Sequence, residues 1–97
     1  MTHPSTPRAI DAAALDAALK RSGITQSEFA ELIESSRTAV FLWRTGQRSP
    51  HRRTAARCER AVRAITRAAE AGKLPLTDYD DAPRDAVLLR ICRGYGL

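Results

Sequence analysis

Cysteine is scarce in this chain: 97 residues hold two, Cys58 and Cys92, far apart and with neither a second Cys nor a His at ligand spacing. That excludes a disulfide framework and a zinc site of the usual spacing, and leaves both thiols as small hydrophobes for a core. Long apolar runs are lacking too. The longest, AVFLW at 39–43, is far too short to span a bilayer, and the N-terminal MTHPSTPRA has no apolar centre for export. A cytoplasmic protein is expected, associated with the nucleoid if its partner is DNA. No Ser-His-Asp, Cys-His, paired-carboxylate or phosphate-loop constellation can be assembled, so neither an enzyme nor a cofactor is expected. His51 reads as an exposed helix-start residue and not as a metal ligand. A chain of this length forms one small domain that buries roughly 60% of its extended surface, too little for a deep catalytic cleft and its supporting shell.

What is present in quantity is arginine. The formal net charge is +5, and it is localised: Arg37, Arg44, Arg48, Arg52, Arg53, Arg57, Arg60, Arg63 and Arg67 face a single acid, Glu59, over the same stretch. Asp11 to Glu34 is mildly acidic, and Asp78, Asp80, Asp81 and Asp85 form an acidic run. A concentrated basic patch favours a polyanionic partner.

No strand-like alternation and no internal repeat occurs, so the fold class is all-α with about five helices. Residues 1–9, with two prolines and no apolar periodicity, read as a flexible tail. Residues 10–72 read as the main domain, and 73–97 as a connector with a C-terminal helix. Asp11 caps a first helix over Ala12 to Ser22, with Leu15, Ala18 and Leu19 on one face and Gly23 as its stop. Thr25 and Glu28 form a capping box for the second, with Ile24 and Phe29 as its hydrophobic staple. Ser36 caps a third that runs to about Thr45 and ends at Gly46. On its wheel Val40 and Trp43 take one side, and Thr38, Phe41, Leu42 and Thr45 the other. Ser49 as cap and Pro50 as first residue are expected to open a long fourth helix to about Ala71. Its apolar arc holds Thr54, Cys58, Ala61, Val62, Ile65, Ala68 and Ala69, and its back is arginine. A last helix from about Pro83 to Arg93 aligns Val87, Leu88, Ile91 and Cys92, with Gly94 as its stop and Tyr95 beyond.

The segment GITQSEFAELIESSRTAVFLWRTGQRSP, Gly23 to Pro50, resembles the helix-turn-helix of the phage repressor and Cro family, also called the XRE family, and aligns with it without a gap. The resemblance rests on Thr25, Gln26 and Ala30 at the start of the second helix, on Val40, Trp43 and Gly46, and on the closing Arg48 and Pro50. It covers under a third of the chain directly, and implies a lambda-repressor-like domain with a recognition helix at about Ser36–Thr45. It further implies that Arg37, Thr38, Phe41 and Leu42 read base edges in the major groove, Arg37 by a bidentate pair to guanine and the others by contact with thymine methyls. Gln26, Ser36, Arg44, Thr45, Arg48, Arg52 and Arg53 would hold phosphates and so set register, not sequence. The sequence departs from the family pattern at Glu34, where Gly is frequent in the turn, at Ser35, where the residue is usually apolar, and at Phe41-Leu42, where polar readers are common.

The expected function is that of a sequence-specific transcriptional regulator, a repressor of the kind found in phages and mobile elements. It would bind double-stranded DNA at a palindromic operator as a homodimer, without a membrane or a small-molecule substrate. Val87, Leu88, Ile91, Cys92 and Tyr95 are its candidate dimer interface; the same stripe equally suits closure of the monomer's own core. Two other readings stand beside it. One is a protein-interaction module, such as an antitoxin or a regulator that grips a partner protein through Phe41, Leu42 and the C-terminal helix. The other is a non-specific DNA-coating protein.

Overall fold

The computed structural model describes residues 11–76 and 83–97. The expected tail at 1–9 and the aspartates at 78, 80 and 81 lie outside those residues. Five helices follow in order: α1 (Ala12–Ser22), α2 (Gln26–Leu32), α3 (Arg37–Arg44), α4 (Arg52–Glu70) and α5 (Arg84–Gly94). The fold is all-α. No helix among the described residues is long and apolar enough to cross a membrane.

The helix boundaries follow local chemistry. Asp11 Oδ1 accepts from the amides of Ala13 (3.0 Å) and Ala14 (3.3 Å) and opens α1. Gly23 closes it at φ 71 and donates its N–H to the Leu19 carbonyl. That glycine is required twice over, because a Cβ there would also stand 2.9 Å from Pro75 Cβ. The capping box of α2 is formed in both directions: Glu28 N donates to Thr25 Oγ1 (3.1 Å), and Thr25 N donates to Glu28 Oε1 (2.9 Å). Ser36 Oγ accepts from Ala39 N (3.0 Å) at the start of α3. The buried hydroxyl of Ser22 is also satisfied, donating to Leu19 O and accepting from Ile24 N.

The core is one cluster. Leu15, Leu19, Phe29, Ile33, Val40, Trp43, Cys58, Ile65, Leu74, Leu88 and Cys92 are all buried in it. α1 packs on α4 and α3, α2 packs on α3, and α5 packs on α4. α4 can lie close to its neighbours because its buried face is largely alanine, at 55, 61, 64 and 68, and small residues let helix axes approach. Cys58 and Cys92 are free and buried. Burial pushes their thiols up to about 12 for Cys58, with a smaller push from Glu59, and to about 11 for Cys92.

Four expectations need correction. The fourth helix starts at Arg52 and not at Ser49-Pro50, with His51 in the N-cap position and no side-chain cap. Gln47 N and Arg48 N both donate to Leu42 O, and Ser49 to His51 then have no helical assignment, so Pro50 belongs to the connection and not to the first turn. The C-terminal helix includes Gly94, and Tyr95 caps it. The third correction concerns the proposed dimer stripe. Val87, Leu88 and Cys92 are buried within the single chain, and Ile91 and Tyr95 pack half-buried against the same core. That face closes the monomer because the long α4 lies across it. The fourth is Thr54, Val62 and Ala69 on α4, which are half-buried at the margin while Ala55 and Ala64 lie inside.

Glu34, in the turn between α2 and α3, has φ 58. This is the left-handed conformation that disfavours any side chain. Replacing Glu34 with Gly is expected to raise the unfolding free energy by up to about 1 kcal/mol, whereas Gly23→Ala should lower it by at least that much. Urea unfolding at neutral pH measures both, and the opposite order would overturn this account of the two turns. Both thiols should resist a thiol reagent at pH 8 until the chain unfolds, because thiolate is the reactive form; rapid labelling of the native protein would contradict their burial.

Candidate nucleic-acid interface

α3 has two unlike faces. Val40 and Trp43 are buried in the core, while Arg37, Thr38 and Phe41 are exposed on the outer side. Phe41, 45% exposed, is the one large hydrophobic side chain left open among the described residues. Positions 37 and 41 lie one turn apart on the same face, 38 lies beside them, and the three line a shallow hollow together with Gln26 of α2. Three of the four expected base readers are therefore brought together. Leu42 is separated from them: it is half-buried and lines a different hollow, with Trp43, Arg48 and Pro50, on the other flank of α3. The reason is angular, since Leu42 stands about 140° around the helix from Arg37, with Thr38 between them.

Arg44 departs from its expected role. Its Nε and Nη2 donate to Asp16 Oδ1 of α1 (2.9 and 2.5 Å), and its Nη1 donates to Gln26 Oε1 of α2 (3.0 Å). Only 20% of the side chain is exposed. It acts as a positioning residue, because three of its five N–H donors face inward to α1 and α2. One consequence falls on Gln26. An arginine can only donate, so the atom it meets must be the amide oxygen, and the Gln26 Nε2 donor is left for a ligand. Gln26 keeps its place as a candidate phosphate contact through an orientation that Arg44 sets.

The remaining candidates divide by whether they keep a free donor. Ser36 accepts at its cap and retains its hydroxyl hydrogen. Thr45 does not: its Oγ1 donates to Phe41 O (2.9 Å) and accepts from Gln47 Nε2 (3.0 Å). Beside it the amide of Gln47 is exposed and keeps one N–H beyond its bond to Thr45, a donor that sequence reasoning missed because nothing in the spacing marks it. Arg48, Arg52 and Arg53 are all exposed, and none forms an ion pair with a described residue. Arg52 and Arg53 occupy the first turn of α4, which has no acid. Cations at the positive end of a helix are locally unfavourable, and an anion would relieve both charges.

Asp16 also accepts from Lys20 Nζ at 2.9 Å. Hydrogen bonds from Lys20 and Arg44 hold its carboxyl below the ordinary value. Glu28 is pulled upward by burial, but bonds from Arg84 and from the Thr25 backbone outweigh this and leave it low. Arg84 Nη2 also donates to Gly23 O (3.0 Å), so α5 is clasped to the turn between α1 and α2. Sequence reasoning found neither Asp16 nor Arg84, whose partners lie 28 and 56 residues away.

A carboxylate depressed in the folded state stabilises the fold above its unfolded pKa, and that contribution is lost as pH falls through the folded value. The acid limb of wild-type stability should therefore fall from about pH 5 downward. Arg44→Met should be less stable at pH 7 and show a flatter acid limb, since Asp16 then titrates nearer its ordinary value. Urea titrations at pH 7 and pH 3 check this; an unchanged acid limb would remove Arg44 from the network. No family model, curated protein or solved structure matches this chain.

Proposed function

We propose that the chain is a sequence-specific DNA-binding transcriptional regulator acting in the cytoplasm, a repressor that sets α3 in the major groove. The observation that carries this reading is the outer face of α3, where Arg37, Thr38 and the exposed Phe41 stand beside an outward-turned Gln26 amide. Guanidinium, hydroxyl and aromatic ring there match guanine O6 and N7, a phosphate or base edge, and a thymine methyl. Gln26, Ser36, Gln47, Arg48, Arg52 and Arg53 supply the surrounding donors for phosphate, and the resemblance of Gly23–Pro50 to the phage repressor and Cro helix-turn-helix supports the same docking. The sequence-neutral attraction comes from the arginines of α4, most of which face solvent.

A partner protein gripped jointly by Phe41, Leu42 and the C-terminal helix is less well supported. Phe41 and Leu42 line different hollows, and neither hollow includes a residue of α5.

Selection from a random duplex library at physiological salt tests the proposal. An enriched motif is expected, built from half-sites about one helical turn apart. Arg37→Ala should lose preference at one base pair by about 1–3 kcal/mol. Arg48→Ala should weaken all sequences alike and lower the salt slope by about one unit. Deoxyuridine in place of thymidine should weaken the selected site roughly fourfold for each methyl that Phe41 covers, from about 0.8 kcal/mol per methyl. Recovery of random sequence with no enrichment would reject specific binding.

A further inference from the structure

α4 turns arginine to solvent along its whole length. Arg52, Arg53, Arg57, Arg60, Arg63 and Arg67 are all exposed, and the only other exposed residues of the helix are Ala56 and Glu70. The arginines fall within about 140° of the helix surface and extend about 22 Å from first to last. From Arg53 to Arg67 each stands three or four places from the next, a series of like charges that is unfavourable unless an anion meets it. The neighbouring acids do not cancel it. Glu34 lies 3.9 Å from Arg57, Glu70 lies 3.9 Å from Arg21 of α1, and Glu59, at the margin of the helix, pairs with none of the six. Arg53, Arg60, Arg63 and Arg67 form no ion pair with a described residue. Arg57 and Arg60 also line a hollow of about 310 Å³ with Arg93 of α5, and Glu31 and Glu34 line it on the α2 side.

We infer that this ridge holds the backbone of a second DNA duplex, so that one copy of the chain bridges two segments. The inference rests on the DNA-binding reading for the first segment, which α3 takes, and adds a separate surface to it. Linear charge is the first argument. Duplex DNA presents about one phosphate charge per 1.7 Å of its axis, so guanidinium groups that recur every 4.5 to 6 Å or so along a helix meet phosphate throughout their length. The second argument is what the ridge lacks. No large apolar side chain is exposed on α4, so it offers neither the apolar anchor of a protein interface nor a face that enters lipid. The third is separation from the α3 face. Arg60, Arg63 and Arg67 stand about 12 to 22 Å along α4 from Arg52, the end that approaches the phosphate donors around α3. On the α2 side the exposed Glu34 meets Arg57 and immediately precedes Ser35, Ser36 and Arg37, so a phosphate strand passing from Arg37 to Arg57 would meet a carboxylate. Arg52 and Arg53 therefore serve the first duplex, and Arg60, Arg63 and Arg67 the second. Arg57, between them, is tied to the turn through the Ile33 carbonyl.

A bridging assay tests the inference. Beads that carry a duplex with the selected motif are saturated with the full chain, washed, and offered a fluorescent duplex of unrelated sequence at physiological salt. Wild type is expected to capture the second duplex. The triple variant Arg60→Gln/Arg63→Gln/Arg67→Gln should capture it at least about tenfold less well, and the salt slope of capture should fall by about three units. The same variant should still bind the duplex on the beads within about threefold of wild type, which also shows that it folds. A wild type that captures nothing, or a triple variant that captures as well as wild type because two α3 faces do the bridging, would overturn the inference. So would a triple variant that loses both duplexes in equal measure, since one duplex would then lie on both surfaces. Capture of anionic phospholipid vesicles in place of the second duplex would give the ridge to a membrane and equally overturn it. Library enrichment without capture would remove the ridge alone and leave the reading of α3 in place; capture on beads of unselected duplex, without enrichment, would do the reverse.

Discussion

The placement of α3 depends on one guanidinium. Arg44 lies on α3 itself and reaches α1 through Asp16 and α2 through Gln26, so a single planar fork ties three helices. Arginine suits this place because its donors point in fixed directions and its charge does not titrate. Apolar packing of Val40 and Trp43 anchors α3 to the core and sets which face turns inward. The fork adds directional bonds to α1 and α2 that hold this rotation in place.

The same fork explains why α2, although only seven residues long, can serve two neighbours. Its capping box fixes the N-terminal turn, its buried Phe29 and Ala30 hold it to the core, and its two flanks carry ties to α3 and to α5. The Arg84 clasp makes Glu28 both a cap and an ion-pair partner, so the turn entering α2 is held from inside by its own backbone and from outside by α5. The left-handed Glu34 then marks where the chain must bend sharply into α3. The strain of that bend is accepted because Ile33 is buried and Arg57 bonds its carbonyl.

Much of this was legible in the sequence. Asp11, Gly23, Thr25 with Glu28, and Ser36 act within three or four residues of themselves, so α1, α2 and α3 begin where their caps predict. Amphipathic spacing separated Val40 and Trp43 from Arg37, Thr38 and Phe41 for the same reason: a period of 3.6 residues is local geometry. The errors arose where local signals compete. Ser49-Pro50 is a good helix start in isolation, yet the chain there runs as a connection past the flank of α3. Arg44 and Thr45 carry groups that suit phosphate, yet three of the five Arg44 donors are turned to Asp16 and Gln26 and the Thr45 hydroxyl to the Phe41 carbonyl. The stripe of Val87, Leu88 and Cys92 reads as an interface or as a core with equal ease, because an apolar face carries no record of what covers it.

The sequence by itself determined the all-α class, the starts of the first three helices, the polar and apolar sides of α3, and the concentration of arginine that favours an anionic partner. Each is a property of residues near one another along the chain. Only the tertiary structure decided that Arg44 orients Gln26 and does not face outward, that Leu42 parts company with Phe41, that Arg84 clasps α5 to α2, and that α5 turns its apolar stripe inward and its charged stripe out. Those outcomes depend on which helices meet, and a guanidinium or a leucine takes its role from the partner across the contact, which lies tens of residues away.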